Sequence, residues 1–328
     1  MDQVFRTRIT ELLGIRHPIL AGGLMWLADA RYVAAAVNAG AMGFITAKTF
    51  PDPERFRDEL CLARQLTGNR PFGVNLYLAL HGGDDAILER HTRILLDAGV
   101  SIVETAGRPP KALLPILKEA GCTVIHKVAS LRHALSAQKL GVDAVTLVGA
   151  ECGGHPGLEP VSTMVQTPLA ARRLTLPFAV GGGIGCGAQL AAALAMGADA
   201  VTVGTRFTVA EEIWADRAYK ERVLAAGSGG SRLVLQSLRS SMRVIDNQAA
   251  RKVAALEARG VEDFEQLRPL AAGSEAYAAY ESGDVERGLL SMGPAAAFAE
   301  RVEPLGAIVT RMLEEAAMGA GRLQAVRT

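Results

Sequence analysis

The sequence of 328 residues is poor in aromatic residues, in net charge and in cysteine. Aromatic side chains make up 5% of the chain, the formal net charge is +1 and there are four cysteines. Because a nearly neutral chain lacks a basic footprint, we expect no nucleic-acid partner. The cysteines lie far apart without paired metal-ligand spacing, which indicates reduced thiols and no metal site.

Long apolar stretches are also missing. No stretch reaches the roughly 18 residues that a membrane span needs, and residues 1–6 contain no apolar signal core. We therefore expect no membrane insertion and a cytoplasmic location. The chain is rich in Ala, Gly, Leu and Val, a composition typical of a well-packed enzyme, and its length suits one large domain or one domain with an insertion. These features favour an enzyme that acts on a small molecule.

Short β-type runs recur through the first two thirds of the chain, with amphipathic, helix-like stretches between most of them. The runs are residues 17–21, 42–46, 71–76, 101–105, 123–127, 144–149, 177–180 and 200–204. Eight such units with nearly continuous apolar strands predict an α/β fold of the (β/α)8 TIM barrel type. A doubly wound open sheet is the alternative. It would need a G-x-G-x-x-G turn after its first strand, and Gly22-Gly23 is followed by Leu24 instead.

The β/α rhythm ends after about Phe207. Residues 211–288 are charged and predicted to be helical, without strand-like runs, and apolar residues near the end of the chain recur at helical spacing. We therefore expect residues 1–210 to form the barrel, residues 289–328 to complete it, and residues 211–288 to form a helical insertion or cap domain. Two interpretations of the insertion stay open, a cap or homodimer surface and a lid that shapes the substrate site.

Glycine-rich turns follow the last two barrel strands. Strand 7 leads into Gly181-Gly182-Gly183, and strand 8 leads into Gly204-Thr205. Backbone N–H groups of such turns, next to a helix N-terminus, bind phosphate, and this is the usual phosphate position of the barrel. The sequence therefore predicts phosphate binding there.

The ends of three other strands carry groups that suit a flavin ring. Strand 1 ends in Gly22-Gly23, strand 3 contains Asn75 and strand 5 ends in Lys127. A bare backbone, an amide and a cation suit the face, the carbonyl edge and the N1 side of an isoalloxazine, where reduced flavin carries negative charge. Together with the phosphate turns, these residues favour FMN as the cofactor.

Strand 6 leads into a segment with two glycines and a histidine, Glu151-Cys-Gly-Gly-His-Pro156. Glycines let the backbone approach a flat ligand closely, and the imidazole of His155 titrates near neutrality. We therefore expect His155 to be the catalytic base or hydrogen-bonding residue. We expect Cys152 to be a packing residue, since the tight glycine turn disfavours a Cys-His catalytic pair.

Taken together, these segments resemble the nitronate monooxygenase family, FMN-containing TIM barrels with a helical second domain, and most of all its bacterial branch that includes NADH:quinone reductases. The matching segments cover nearly the whole chain and include residues 17–23, 70–75, 103–107, 124–127, 151–157, 197–200, 204–207, 237–239 and Arg243. The resemblance implies that His155 lies beside the flavin. The expected cofactor-binding residues are Gly22, Gly23, Leu24, Met25, Asn75, Lys127, Gly153, Gly181, Gly182, Gly183, Gly204 and Thr205.

The resemblance leaves three interpretations of the function. The first, which we expect, is oxidation of alkyl nitronates with O2 to a carbonyl compound and nitrite, and the other two are alternatives to it. The second is reduction of a quinone or an enoyl thioester, in which NADH or NADPH docks transiently as electron donor. The third is a flavin-binding scaffold without turnover.

Overall fold

The computed structural model describes residues 4–79 and 85–326, and its centre is a closed barrel of eight parallel strands that neighbour one another in chain order. The barrel strands are β1 Ile19–Ala21, β2 Met42–Thr46, β3 Gly73–Leu78, β4 Ile102–Gly107, β5 Thr123–Val128, β6 Ala144–Val148, β7 Phe178–Gly181 and β8 Ala200–Val203. The α-helices are α1 Arg8–Leu13, α2 Ala30–Asn38, α3 Pro53–Leu66, α4 Asp85–Asp97, α5 Leu113–Glu119, α6 Leu131–Leu140, α7 Thr163–Ala171, α8 Gly187–Ala195, α9 Arg217–Ala226, α10 Gln248–Glu257, α11 Phe264–Ala271, α12 Gly273–Ser282 and α13 Leu305–Ala325. The predicted TIM barrel is confirmed.

Helix α1 closes the amino-terminal end of the barrel. Its residues Ile9 and Leu13 belong to the same buried apolar cluster as the inward-facing Leu20, Phe44 and Ile125. This apolar end fills the barrel from below, so a ligand has access to the interior from the carboxyl ends of the strands. Among the described residues, no helix has both the length and the apolar character needed to span a bilayer.

The segment between β8 and α13 contains a β-hairpin as well as helices. The prediction that residues 211–288 lack strands was wrong, because β9 (Ser231–Val234) and β10 (Met242–Ile245) pair in antiparallel register. Val234 and Val244 of this pair are buried in a small separate core. Two strands of four residues each, flanked by polar residues, are too short for their alternation to stand out in a charged sequence. The division into barrel and insertion domains stays a prediction.

Helix α13 packs against α8 and α2, on the outside of the barrel. Its apolar residues at helical spacing predicted this element, and they are buried. The contact with α8 is very close at Gly187, whose N–H donates to Glu315 Oε2 at 2.6 Å. A Cβ at Gly187 would lie 1.9 Å from the Met312 carbonyl oxygen and 2.6 Å from the Ala316 nitrogen. The close packing of the two helices therefore requires glycine at this position.

Gly187→Ala is expected to lower the free energy of unfolding by about 1–3 kcal/mol or more, because the added methyl group forces α8 and α13 apart. Urea unfolding of the purified protein measures this change. Gly321→Ala, within α13, is the matched control, because a Cβ there meets no atom within 4 Å. Alanine at that position is expected to be neutral or to stabilise the helix by up to about 1 kcal/mol. Equal effects of the two substitutions would contradict this account of the contact.

Candidate active site

One layer of side-chain positions near the carboxyl end of the barrel is half empty. Alternate strands supply each layer in this type of barrel, and the strand register places Gly22, Asn75, Lys127 and Gly181 at one level. Asn75 and Lys127 carry polar side chains, whereas the two glycines leave the opposite side without any. Gly23 adjoins Asn75, because a Cβ at Gly23 would lie 2.7 Å from Asn75 Cβ. The structure thus brings these predicted residues together at one level near the carboxyl end of the barrel.

Lys127 is held by a carboxylate that the sequence analysis did not include among the site residues. Its Nζ donates to Glu104 Oε2 at 2.8 Å, and Asn75 Nδ2 donates to the same oxygen at 2.6 Å. The Glu104 side chain is completely buried, whereas that of Lys127 is 20% exposed. The sequence contained one indication that Glu104 belongs to the site, because it is a charged residue within the otherwise apolar strand Ile102–Gly107. Lys127 therefore reaches the top of the barrel as one member of an ion pair.

The turn after β7 has a backbone that favours glycine. Gly182 and Gly183 have φ angles of 97° and 76°, in the left-handed region that other residues rarely adopt. A Cβ at Gly182 would also lie 3.0 Å from the Gly149 nitrogen, which follows β6. The Thr163 hydroxyl lies 2.8 Å from the Gly182 carbonyl oxygen and 3.0 Å from Glu151 Oε2. These contacts join the turns that follow β6 and β7.

The turn after β8 lies against the segment that precedes α13. The Gly293 N–H donates to Thr205 Oγ1 at 3.0 Å. A Cβ at Gly153 would lie 3.0 Å from the same Gly293 nitrogen. Gly293 therefore connects the turn before His155 with the turn after β8. On the other side, a Cβ at Gly204 would have Leu24 Cδ2, at 3.7 Å, as its nearest neighbour, which leaves room beside Gly204. Met25 lies half-buried in the turn that follows Leu24.

Strand β10 fixes the turn that carries His155. The Gly154 N–H donates to the Arg243 carbonyl oxygen at 2.9 Å, and the Arg243 N–H donates to the Gly154 carbonyl oxygen at 2.6 Å. Arg243 Nη2 also donates to the Ala150 carbonyl oxygen at 3.2 Å. Residues almost a hundred positions later in the chain therefore position this turn, a relation that the local sequence pattern did not indicate.

His155 is accessible and yet crowded by protein. Desolvation by the surrounding protein lowers the pKa of its imidazole below the ordinary 6.5, although the residue is exposed. Within the described part of the chain, its ring nitrogens have no hydrogen-bond partner. A neutral imidazole with both nitrogens available can accept a proton from a ligand. Burial raises the pKa of the Cys152 thiol to about 12, so Cys152 supplies no thiolate.

Comparisons with known proteins agree with the fold. A family model described as nitronate monooxygenase matches residues 6–315. The structure of FabK from Thermotoga maritima superimposes with a TM-score of 0.90 at 32% identity, over 98% of this chain and 99% of that chain. The nitroalkane oxidase from Streptomyces ansochromogenes has the same fold, with a TM-score of 0.82 at 23% identity over 97% of this chain and 100% of that chain.

A curated relative from Mycobacterium tuberculosis, (3aS,4S,5R,7aS)-5-hydroxy-7a-methyl-1-oxo-octahydro-1H-indene-4-carboxyl-CoA dehydrogenase, is 35% identical over 232 residues. The match covers 69% of this chain and 62% of that protein, so the chain spans somewhat under two thirds of the relative's length. Since the family model extends over most of the barrel and the segments around it, the chain belongs to the nitronate monooxygenase family.

Proposed function

We propose that the protein binds one FMN at the carboxyl end of the barrel. The half-empty layer supports this, because Gly22 and Gly181 bring no side chain into it while Lys127 supplies a cation at its edge. In this proposal the residues that would hold the ring are Gly22, Gly23, Leu24, Met25, Asn75, Gly153 and Gly181, and Lys127 would supply a positive charge to it. The phosphate lies against Gly182, Gly183, Gly204 and Thr205, where left-handed glycines and the open side of Gly204 suit an anion.

We further propose that the substrate is an acyl thioester that reacts at its Cα–Cβ bond. The observation that carries this proposal is His155, a neutral base without a protein partner on a turn that β10 holds in place. A base suits a carbon acid, and the carbon next to a thioester carbonyl is one. The Mycobacterium tuberculosis relative, named as a dehydrogenase of a CoA thioester, supports this substrate class.

In this proposal the His155 side chain carries out proton transfer, and hydride transfer depends on the cofactor. A bound FMN would supply the hydride chemistry at Cβ, as hydride acceptor in the oxidative direction and, with NADH or NADPH as electron donor, as hydride donor in the reductive direction. In the oxidative direction His155 would take the proton from Cα. Lys127 supplies positive charge where reduced flavin is negative. In the reductive direction His155 gives the proton back to Cα, so protons and electrons balance in both directions.

Nitronate oxidation is the second candidate. The family model and the sequence resemblance favour it, and a nitroalkane is also a carbon acid that His155 could deprotonate. A non-catalytic scaffold has less support, because it has no use for an available neutral imidazole above the site. A cytoplasmic location and a homodimer stay predictions.

Anaerobic mixing of the FMN-loaded enzyme with candidate substrates separates these functions. We expect NADH or NADPH to bleach the flavin absorbance and a 2-enoyl-CoA to restore it. If propyl nitronate bleaches the flavin and no thioester changes its absorbance, nitronate oxidation is the better assignment. Bound FMN that no probe reduces would favour the scaffold. A protein that cannot be reconstituted with FMN would refute the cofactor proposal itself.

A further inference from the structure

Glu104 is a buried anion directly beneath the proposed flavin site. Its Oε2 accepts hydrogen bonds from Lys127 and Asn75, whereas its Oε1 is buried and has no partner among the described residues. The field of its charge reaches further, since burial and then the charge of Glu104 raise the pKa of Tyr32. Tyr32 in turn donates from its hydroxyl to the Gly22 carbonyl oxygen at 3.2 Å. Among the described residues, the Glu104 carboxylate therefore accepts hydrogen bonds through Oε2 alone.

Two further buried hydroxyl groups without a partner among the described residues lie in the same barrel layer as Glu104. The register places Phe44, Glu104, Thr146 and Thr202 in one layer of the barrel, below the layer that contains Lys127. Thr146 Oγ1 and Thr202 Oγ1 are buried and, in the part of the chain that the structure describes, have no hydrogen-bond partner either. Buried polar atoms are nearly always bonded to protein or to an internal water, and a water with about three polar neighbours is typical. An internal water suits these oxygens.

We propose that Glu104 is a positioning residue for Lys127 and that it offsets the positive charge of Lys127 toward the cofactor. This inference rests on the proposed FMN site. The ion pair fixes the ammonium group at the edge of the half-empty layer. Because the pair is nearly neutral overall, it stabilises anionic reduced flavin less than an isolated ammonium would. The pair, and not Lys127 alone, sets the reduction potential.

The charges of Glu104 and Lys127 are therefore expected to shift the reduction potential of the flavin in opposite directions. Glu104→Gln keeps an oxygen that accepts from Lys127 and Asn75, and its amide group donates toward the threonine layer, so the geometry survives while the negative charge is lost. We expect the ratio of the Kd for oxidised FMN to the Kd for reduced FMN to rise about tenfold or more. For a two-electron couple, tenfold corresponds to a potential about 30 mV more positive. Lys127→Met is expected to shift the potential in the negative direction.

The measurement is a spectroscopic redox titration of each FMN-loaded variant against a reference dye. Thr105→Val is the control, because Thr105 neighbours Glu104 on β4 but its hydroxyl contacts His126, and no shift is expected. An unchanged or more negative potential in Glu104→Gln, with FMN bound, would overturn the inference. Absence of FMN from the wild-type protein would instead overturn the proposed function.

The double variant Glu104→Gln/Lys127→Met keeps the test decisive if a single variant does not fold, because it leaves neither charge unpaired. If Glu104 offsets Lys127, removing both charges leaves the potential close to that of the wild type. A potential shifted in the negative direction in the double variant would mean that Lys127 acts alone, and the inference would be wrong.

Discussion

Replacing His155 with alanine is expected to lower kcat/KM for the thioester reaction by about 10²- to 10⁴-fold, the usual contribution of a general acid or base. FMN content and thermal stability should stay unchanged, because the side chain is exposed and has no hydrogen-bond partner within the described residues. Stopped-flow reduction of the flavin by substrate measures the effect at the chemical step. A loss of FMN in proportion to the loss of activity would assign His155 to cofactor binding instead.

The pH dependence separates proton transfer from hydrogen bonding. Desolvation lowers the pKa of His155, so the neutral base is present above the lowered value, and the oxidative reaction should fall only as the pH drops below 6.5. His155→Gln retains a hydrogen-bonding amide but cannot take a proton, so it should be as slow as His155→Ala and lose this acid limb. Oxidation of a preformed nitronate, which needs no base, should be spared more than oxidation of the neutral nitroalkane. An active His155→Gln enzyme would show that His155 only forms hydrogen bonds.

Replacing Glu303 with glutamine is expected to lower the free energy of unfolding by about 3–5 kcal/mol, because it leaves a buried cation without its counter-ion. Glu303 Oε1 accepts from Arg206 Nη2 at 2.9 Å and from Arg311 Nη1 at 3.0 Å, and Arg301 lies 3.3 Å from Oε2. Arg206 follows β8 and its side chain is only 2% exposed. This cluster attaches the segment that precedes α13 to the barrel. Urea denaturation monitored by circular dichroism measures the loss.

The same cluster predicts acid sensitivity. Burial raises the pKa of Glu303, but hydrogen bonds from Arg311 and Arg206 outweigh burial and lower it to about 2. Because the pKa in the folded protein lies below the ordinary 4.5, the stabilisation is complete above pH 4.5 and is lost as the pH falls toward 2. The stability of Glu303→Gln should therefore decline less over this range. Glu265→Gln, which removes an exposed pair with Arg268, is the control and should change nothing measurable. Equal sensitivity in both variants would contradict the account.

The sequence by itself determined the barrel and much of the candidate site. Strands buried on both faces consist of short apolar runs, so each can be recognised from its own residues. Helix ends are equally local: Ser130 begins α6 by accepting from the His133 N–H, and Gly141 ends it in the left-handed conformation. The glycines after β7 and β8 and the His155 turn could be placed because active sites of this fold lie at the carboxyl ends of the strands.

Only the tertiary structure decided which of these residues act together. Lys127 could be placed at a strand end from the sequence, but its pairing with Glu104 depends on the stagger between β4 and β5. The bond between Gly154 and Arg243 joins residues far apart in the chain, and so does the ion pair between Arg206 and Glu303. Side-chain periodicity shows which face of an element is buried. It contains no information on the partner across the contact, because that partner is selected by the packing of the whole chain.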